Sequence, residues 1–185
     1  MRILPILIFL LVTVASCGGG KDSAPVPRRY AYPRPDIPPA GYTALDFGRY
    51  RLDISRSAAV VLDSVAGNRR DITLAYHGFG AKVYLTVSNA PDSATLAAMA
   101  ADRTARFVRN VAGRYTAEEC DSAESLLITA YQGNVTPLQF VVLSELSMLS
   151  GVVYFTDPDV AARPDSMRPV FEALRRDIVR LIQSF

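Results

Sequence analysis

Leu138-Gln139-Phe140-Val141-Val142-Leu143-Ser144-Glu145-Leu146-Ser147-Met148-Leu149-Ser150-Gly151-Val152-Val153-Tyr154-Phe155 holds two apolar runs separated by a more polar segment. Residues 138–143 and 151–155 are nearly continuous apolar runs, rich in β-branched and aromatic side chains and too short for helices. Runs of that kind are strands covered on both faces, so these two belong at the centre of a sheet. A further strand at residues 125–131 precedes them. The polar segment Tyr131-Gln132-Gly133-Asn134-Val135-Thr136-Pro137 reads as a turn, with Gly133 and Asn134 supplying positive φ. It carries Gln132, Asn134 and Gln139 toward one end of the sheet, where they are candidate contacts for a partner.

Toward the N-terminus, period-two patterning predicts strands at residues 42–47, 50–54, 59–62, 71–76 and 82–87. His77-Gly78-Phe79-Gly80 joins the last two as a hairpin. Pro91-Asp92-Ser93 opens a helix, capped by Asp92 or Ser93, with Leu96, Met99, Ala100, Phe107, Val108 and Val111 as its apolar stripe and Gly113 as its end. Toward the C-terminus, Val170, Phe171, Leu174, Ile178, Leu181, Ile182 and Phe185 recur at helical spacing and predict a helix over residues 166–184. Pro169 is tolerated there in a first turn. Arg175, Arg176 and Arg180 occupy the opposite side as a basic face, and Glu172 is spaced to pair with Arg176. Hairpin-like links dominate, so the expected class is α+β: an antiparallel sheet with two main helices packed on it. A Mog1/PsbP-like arrangement is one form this strand order can take.

The N-terminus reads as a leader. Arg2 is followed by an apolar run over residues 3–14 that is too short to span a bilayer core of about 30 Å. It ends in Leu11-Val12-Thr13-Val14-Ala15-Ser16-Cys17, where small residues before a cysteine resemble a lipobox. Residues 1–16 are then a removable signal peptide, and Cys17 is the lipid-bearing first residue of the mature chain. Residues 17–41 read as a lipidated, proline-rich tether, and 42–185 as one α+β domain. Polyproline II over residues 18–39 reaches on the order of 65 Å. Within it, Arg28, Arg29, Tyr30 and Tyr32 mix cations with aromatics and form either a candidate docking segment for a partner or a solvated tether weakly attracted to anionic headgroups.

Charge and motifs exclude several chemistries. The net charge of +2 carries no concentrated basic stripe and points away from nucleic acid. One histidine, His77, and no Cys-x-x-Cys or His-Glu-x-x-His pattern leave no basis for a structural zinc site. His77-Gly78-Phe79-Gly80 superficially resembles an esterase oxyanion loop, but no Gly-x-Ser-x-Gly turn accompanies it. Cys120 lies in an acidic setting that disfavours a thiolate, and with Cys17 acylated it has no disulfide partner. Neither a cofactor nor a catalytic residue is expected.

Several of these residues are similar to the gliding-motility lipoprotein GldD family of Bacteroidetes. Pro27-Arg28-Arg29-Tyr30-Ala31-Tyr32-Pro33-Arg34 resembles its tether. Gly133, Asn134, Pro137, Gln139, Phe140, Gly151, Tyr154 and Phe155 match its glycine-asparagine turn, Pro-x-Gln-Phe and Gly-x-x-Tyr-Phe. Asp165-Ser166 leading into Arg168-Pro169-Val170 is also similar. The chain departs from the family at Leu143-Ser144-Glu145 and at Ser147-Met148-Leu149-Ser150. The resemblance implies a non-enzymatic accessory or assembly factor of gliding motility or type IX secretion. Its implied setting is the cell envelope, lipid-anchored through Cys17 at the outer membrane and facing the periplasm, with other envelope lipoproteins or secretion and motility proteins as partners. The alternative is a ligand-binding lipoprotein with an apolar pocket between sheet and terminal helix.

Overall fold

The computed structural model describes residues 36–47, 50–67, 69–111, 114–120, 124–130, 136–156 and 164–185. Strands β1 (Tyr42–Phe47) and β2 (Tyr50–Ser55) pair as an antiparallel ribbon. Next come β3 (Ala59–Ala66), β4 (Arg69–Tyr76) and β5 (Ala81–Asn89), then helix α1 (Ser93–Asn110). Strands β6 (Tyr115–Glu118), β7 (Glu124–Ala130), β8 (Leu138–Ser144) and β9 (Ser147–Phe155) follow, and helix α2 (Pro164–Ser184) closes the chain. Apart from the ribbon, the strands form one seven-stranded sheet in the order β3-β4-β5-β9-β8-β7-β6, antiparallel throughout. The α+β class, antiparallel sheet and two packed helices read from the sequence are what the structure has.

The sheet is two meanders, β3-β4-β5 and β6-β7-β8-β9, joined where β9 runs along the full length of β5. Because side chains alternate across a strand, each central strand serves two cores. Phe140 and Val142 of β8 join Leu127, Leu149, Val153 and Leu85 on the face that meets Leu174, Ile178 and Leu181 of α2. Val141, with Ile128 and Met148, faces the other way and meets Leu96 and Phe107 of α1. The helices therefore lie on opposite sides of the sheet. The β1–β2 ribbon joins the α2 side through Leu52 and Ile54, and Ile37, ahead of β1, packs against the same core.

Gly151 stands directly opposite Phe140 in the β8–β9 register. A Cβ at Gly151 would collide with the Phe140 ring and come within 3.0 Å of Leu85 Cδ2. The missing side chain is thus the space the ring occupies. The two residues belong to Pro-x-Gln-Phe and Gly-x-x-Tyr-Phe respectively, so those motifs describe one packing contact across two strands.

Several local readings change. The β8–β9 connection is a two-residue turn with Glu145 at φ 51, and residues 147–150, ahead of the apolar run at 151–155, already belong to β9 as buried strand. β6 carries no strand signal in the sequence, because its four mostly exposed residues show no apolar alternation. In α1, Asp92 is the cap, accepting from the Thr95 amide at 2.7 Å, while Val108 lies exposed, outside the apolar stripe. α2 starts at Pro164, so Pro169 sits within the helix beyond its first turn. Glu172 pairs with Arg168 at 2.9 Å, and Arg176 turns to Asp177 instead.

Candidate functional site: an arginine-lined cleft on the terminal helix

The apolar stripe of α2 is interrupted at one buried position. Asp177 is 3% exposed and follows the heavily charged Arg175-Arg176 pair. A carboxylate at that depth requires donors, and three elements supply them. Tyr42 of β1 donates its hydroxyl to Asp177 Oδ1 at 3.1 Å, and Arg176 Nη2 and Nε reach the same oxygen at 3.3 and 3.4 Å. Tyr76 of β4 also engages Asp177, with Ser55 of β2 beside it. The terminal helix is thereby tied to the ribbon and to the sheet.

Around this buried group lies an open cleft of about 410 Å³, lined by Tyr42, Glu172, Arg175, Arg176, Val179, Arg180 and Gln183. Arg180 pairs with Asp53 at 2.6 Å, and its guanidinium lies over the Tyr42 ring at 5.9 Å. Arg175 is paired with Glu118 of β6. The basic face read from the sequence is therefore real, and the structure brings Arg175, Arg176 and Arg180 to one cleft. Each is held in place by an acidic residue.

Burial, followed by the Asp177 charge, raises the Tyr76 hydroxyl above its ordinary pKa of 10.0, with Ser55 opposing. In the unfolded chain Tyr76 ionises near that ordinary value, whereas in the folded chain it stays protonated. Its contribution to stability is complete below about pH 10 and is lost as pH rises through the folded pKa, at up to about 1.4 kcal/mol per pH unit. Tyr76→Phe is expected to flatten the alkaline decline. Urea unfolding from about pH 8 to 11 checks this, and equal slopes for the two proteins would refute it.

Gln139 lies in the strand that its sequence predicts. It is the second residue of β8, 2% exposed, and its Nε2 has no hydrogen-bond partner among the described residues. Cys17, Arg28, Arg29, Tyr30, Tyr32, Gln132 and Asn134 lie outside the described residues. The α2–sheet interface is filled rather than hollow: Val170, Ala173, Leu174, Ile178, Leu181 and Ile182 are all 0–4% exposed. A second cleft, of about 430 Å³, lies beside the β4–β5 turn, between Asp36, Pro38, Ser57, Tyr76, Gly78 and Phe79. His77 sits exposed in that turn, and Gly80 closes it at φ 59. Among the described residues no group of three or more His, Cys, Asp or Glu is placed to hold a metal, and no helix is long and apolar enough to cross a membrane.

Sequence reasoning missed Asp177, Tyr42 and Asp53. An acidic residue on the apolar side of α2 was the available signal: Asp177 lies between Leu174 and Ile178, where an apolar residue is expected.

These features define an α+β protein whose helix α2 carries an ion-paired, arginine-lined cleft. A family model described as gliding motility lipoprotein GldD matches residues 22–185, and the chain belongs to that family. No curated protein matches it.

Proposed function

We propose that the protein is a non-enzymatic accessory factor of gliding motility and of type IX secretion. It is held at the outer membrane by acylated Cys17 and faces the periplasm. The observation that carries this reading is the family match over residues 22–185. The cleft is consistent with a docking role, because its arginines are positioned by protein carboxylates and form a fixed charged surface. A filled α2–sheet interface favours this reading over an apolar ligand pocket at that place.

Deleting the gene is expected to abolish surface spreading and to retain type IX cargo inside the cell, with wild-type protein restoring both. Cys17→Ser should lose palmitate labelling and fail to complement. Normal spreading and normal cargo export in the deletion strain would defeat the proposal.

A further inference from the structure

We infer that the half of the sheet left uncovered beside α1 receives an amphipathic helix of a partner protein, with a carboxylate of that helix meeting Arg103. This rests on the accessory role proposed above and supplies the form of the partner. Helix α1 packs on β8 and β9 and reaches Ile128 of β7, so on its side of the sheet β3, β4 and β5 carry no described helix. The register sets Val61, Thr73 and Tyr84 side by side across those three strands, with Ala75 and Tyr154 in the next row. Tyr84 stands opposite Val152, which packs into the α1 core, so this is the α1 face. Val61, Tyr84 and Tyr154 are 39–49% exposed, whereas Thr73 and Ala75 are buried. Exposed aromatic and β-branched side chains thus flank a floor of small ones along β4.

Three strands spaced about 4.8 Å apart are about 14 Å across, room for one helix of about 10–12 Å with its side chains. A bilayer or a second flat sheet is held off by α1, which stands above the same face. An added strand pairs with the edge of β3 and does not lie on the face. Tyrosine and arginine are also the side chains that anchor protein interfaces.

Arg103 supplies the charge. Seven residues after Leu96 and four before Phe107, it interrupts the apolar side of α1. It is half-buried and makes no hydrogen bond or ion pair among the described residues. The charges around it are Arg69, Arg106, Asp71 and Asp102, and both carboxylates are taken. Asp71 pairs with Arg69 at 3.0 Å and accepts from Thr86 at 2.7 Å, and Asp102 pairs with Arg106 at 2.8 Å. Burial, followed by Arg106 and Arg69, lowers the Arg103 pKa against the pull of Asp102 and Asp71. The fold gives Asp177 its donors and leaves Arg103 without an acceptor. Since Arg69 and Asp71 belong to β4, this flank of α1 overlooks the recess, where an incoming carboxylate completes the pairing.

The test uses the full lipoprotein in cells. The photo-crosslinker p-benzoylphenylalanine replaces Tyr84, or Arg109 on the outward side of α1 as a control, and adducts are mapped by mass spectrometry. From Tyr84 alone, the expected adduct is to a partner segment with apolar residues at i, i+3, i+4 and i+7 and an Asp or Glu beside them. That segment, synthesised with a fluorophore, should bind the purified mature protein and gain helical circular dichroism on binding. Arg103→Glu and Tyr84→Ala should each weaken it about tenfold or more. Arg103→Gln should leave the melting temperature equal or higher, because no internal pair is lost.

No adduct from Tyr84, adducts only to lipid or to a second copy of this chain, a captured segment without helical periodicity, binding indifferent to Arg103→Glu, or a lowered melting temperature for Arg103→Gln would each overturn the inference. An Arg103→Glu strain that spreads normally beside a non-spreading deletion strain would overturn this surface and leave the motility role standing. A deletion strain that spreads normally would overturn the role itself.

Discussion

Gly151→Ala is expected to lower the unfolding free energy by about 3 kcal/mol, a large effect for a single methyl group. The added Cβ would occupy the position of the Phe140 ring, with Leu85 Cδ2 3.0 Å away on the other side. Neither neighbour can retreat easily. Phe140 is fully buried between β7 and β9, and Leu85 lies in the central strand β5. The effect belongs to the pair, so a double-mutant cycle isolates it. Phe140→Leu alone should destabilise by about 1–2 kcal/mol through lost volume. In the Gly151→Ala background it should do less harm or become favourable, because the smaller side chain leaves room for the methyl. Urea unfolding of the four proteins measures the coupling. Strict additivity, or a Gly151→Ala protein as stable as wild type, would contradict the packing account.

Asp177→Leu is expected to cost about 3 kcal/mol, although leucine suits the apolar stripe of α2 better than aspartate does. The substitution removes a desolvated charge but strands its donors. Arg176 is half exposed and can turn to water, and Tyr42 is only partly buried. Tyr76 is 2% exposed, cannot turn to water and keeps only Ser55 beside it. Most of the loss should therefore trace to Tyr76. Combining Asp177→Leu with Tyr76→Phe should recover about half of it, because an apolar replacement of both partners leaves nothing unsatisfied. Asp177→Asn keeps Oδ1, the acceptor of the Tyr42 and Arg176 bonds, and should cost less than Asp177→Leu. If the double variant were no more stable than Asp177→Leu alone, the hub would lie elsewhere.

Local pattern carried the strands and helices that bury an apolar face, and missed those that do not. The central strands and α2 were legible because their side chains follow the geometry of the element. β6 was invisible because a short edge strand is held by its neighbour's backbone and needs no pattern of its own. The start of β9 was obscured by Ser147 and Ser150, which are buried in the sheet. Ser147 is satisfied there by Tyr50 and Asn89, at 2.9 and 3.0 Å, from strands far away in sequence. The same reason limited the site. Arg175, Arg176 and Arg180 could be picked out along one helix, but their counterions Glu118 and Asp53, and the Tyr42–Asp177–Tyr76 network, exist only once distant strands are assembled. Gln139 lies in the strand its sequence predicts, but its burial depends on the assembled sheet, where Ile128 and Val152 flank it.

β9 lies in the middle of the sheet yet comes close to the end of the chain, and its partner β5 was made long before it. Until residue 155 is available, the first meander has an open edge at β5 and the second lacks its innermost strand. The smaller core, on the α1 side, waits for Met148 of β9, and the larger one cannot close without α2, which comes later still. A polypeptide emerging N-terminus first from a translocation channel would therefore lack its complete sheet until residue 155 has emerged. For a lipoprotein, this leaves an N-terminal segment free to be processed before the sheet forms.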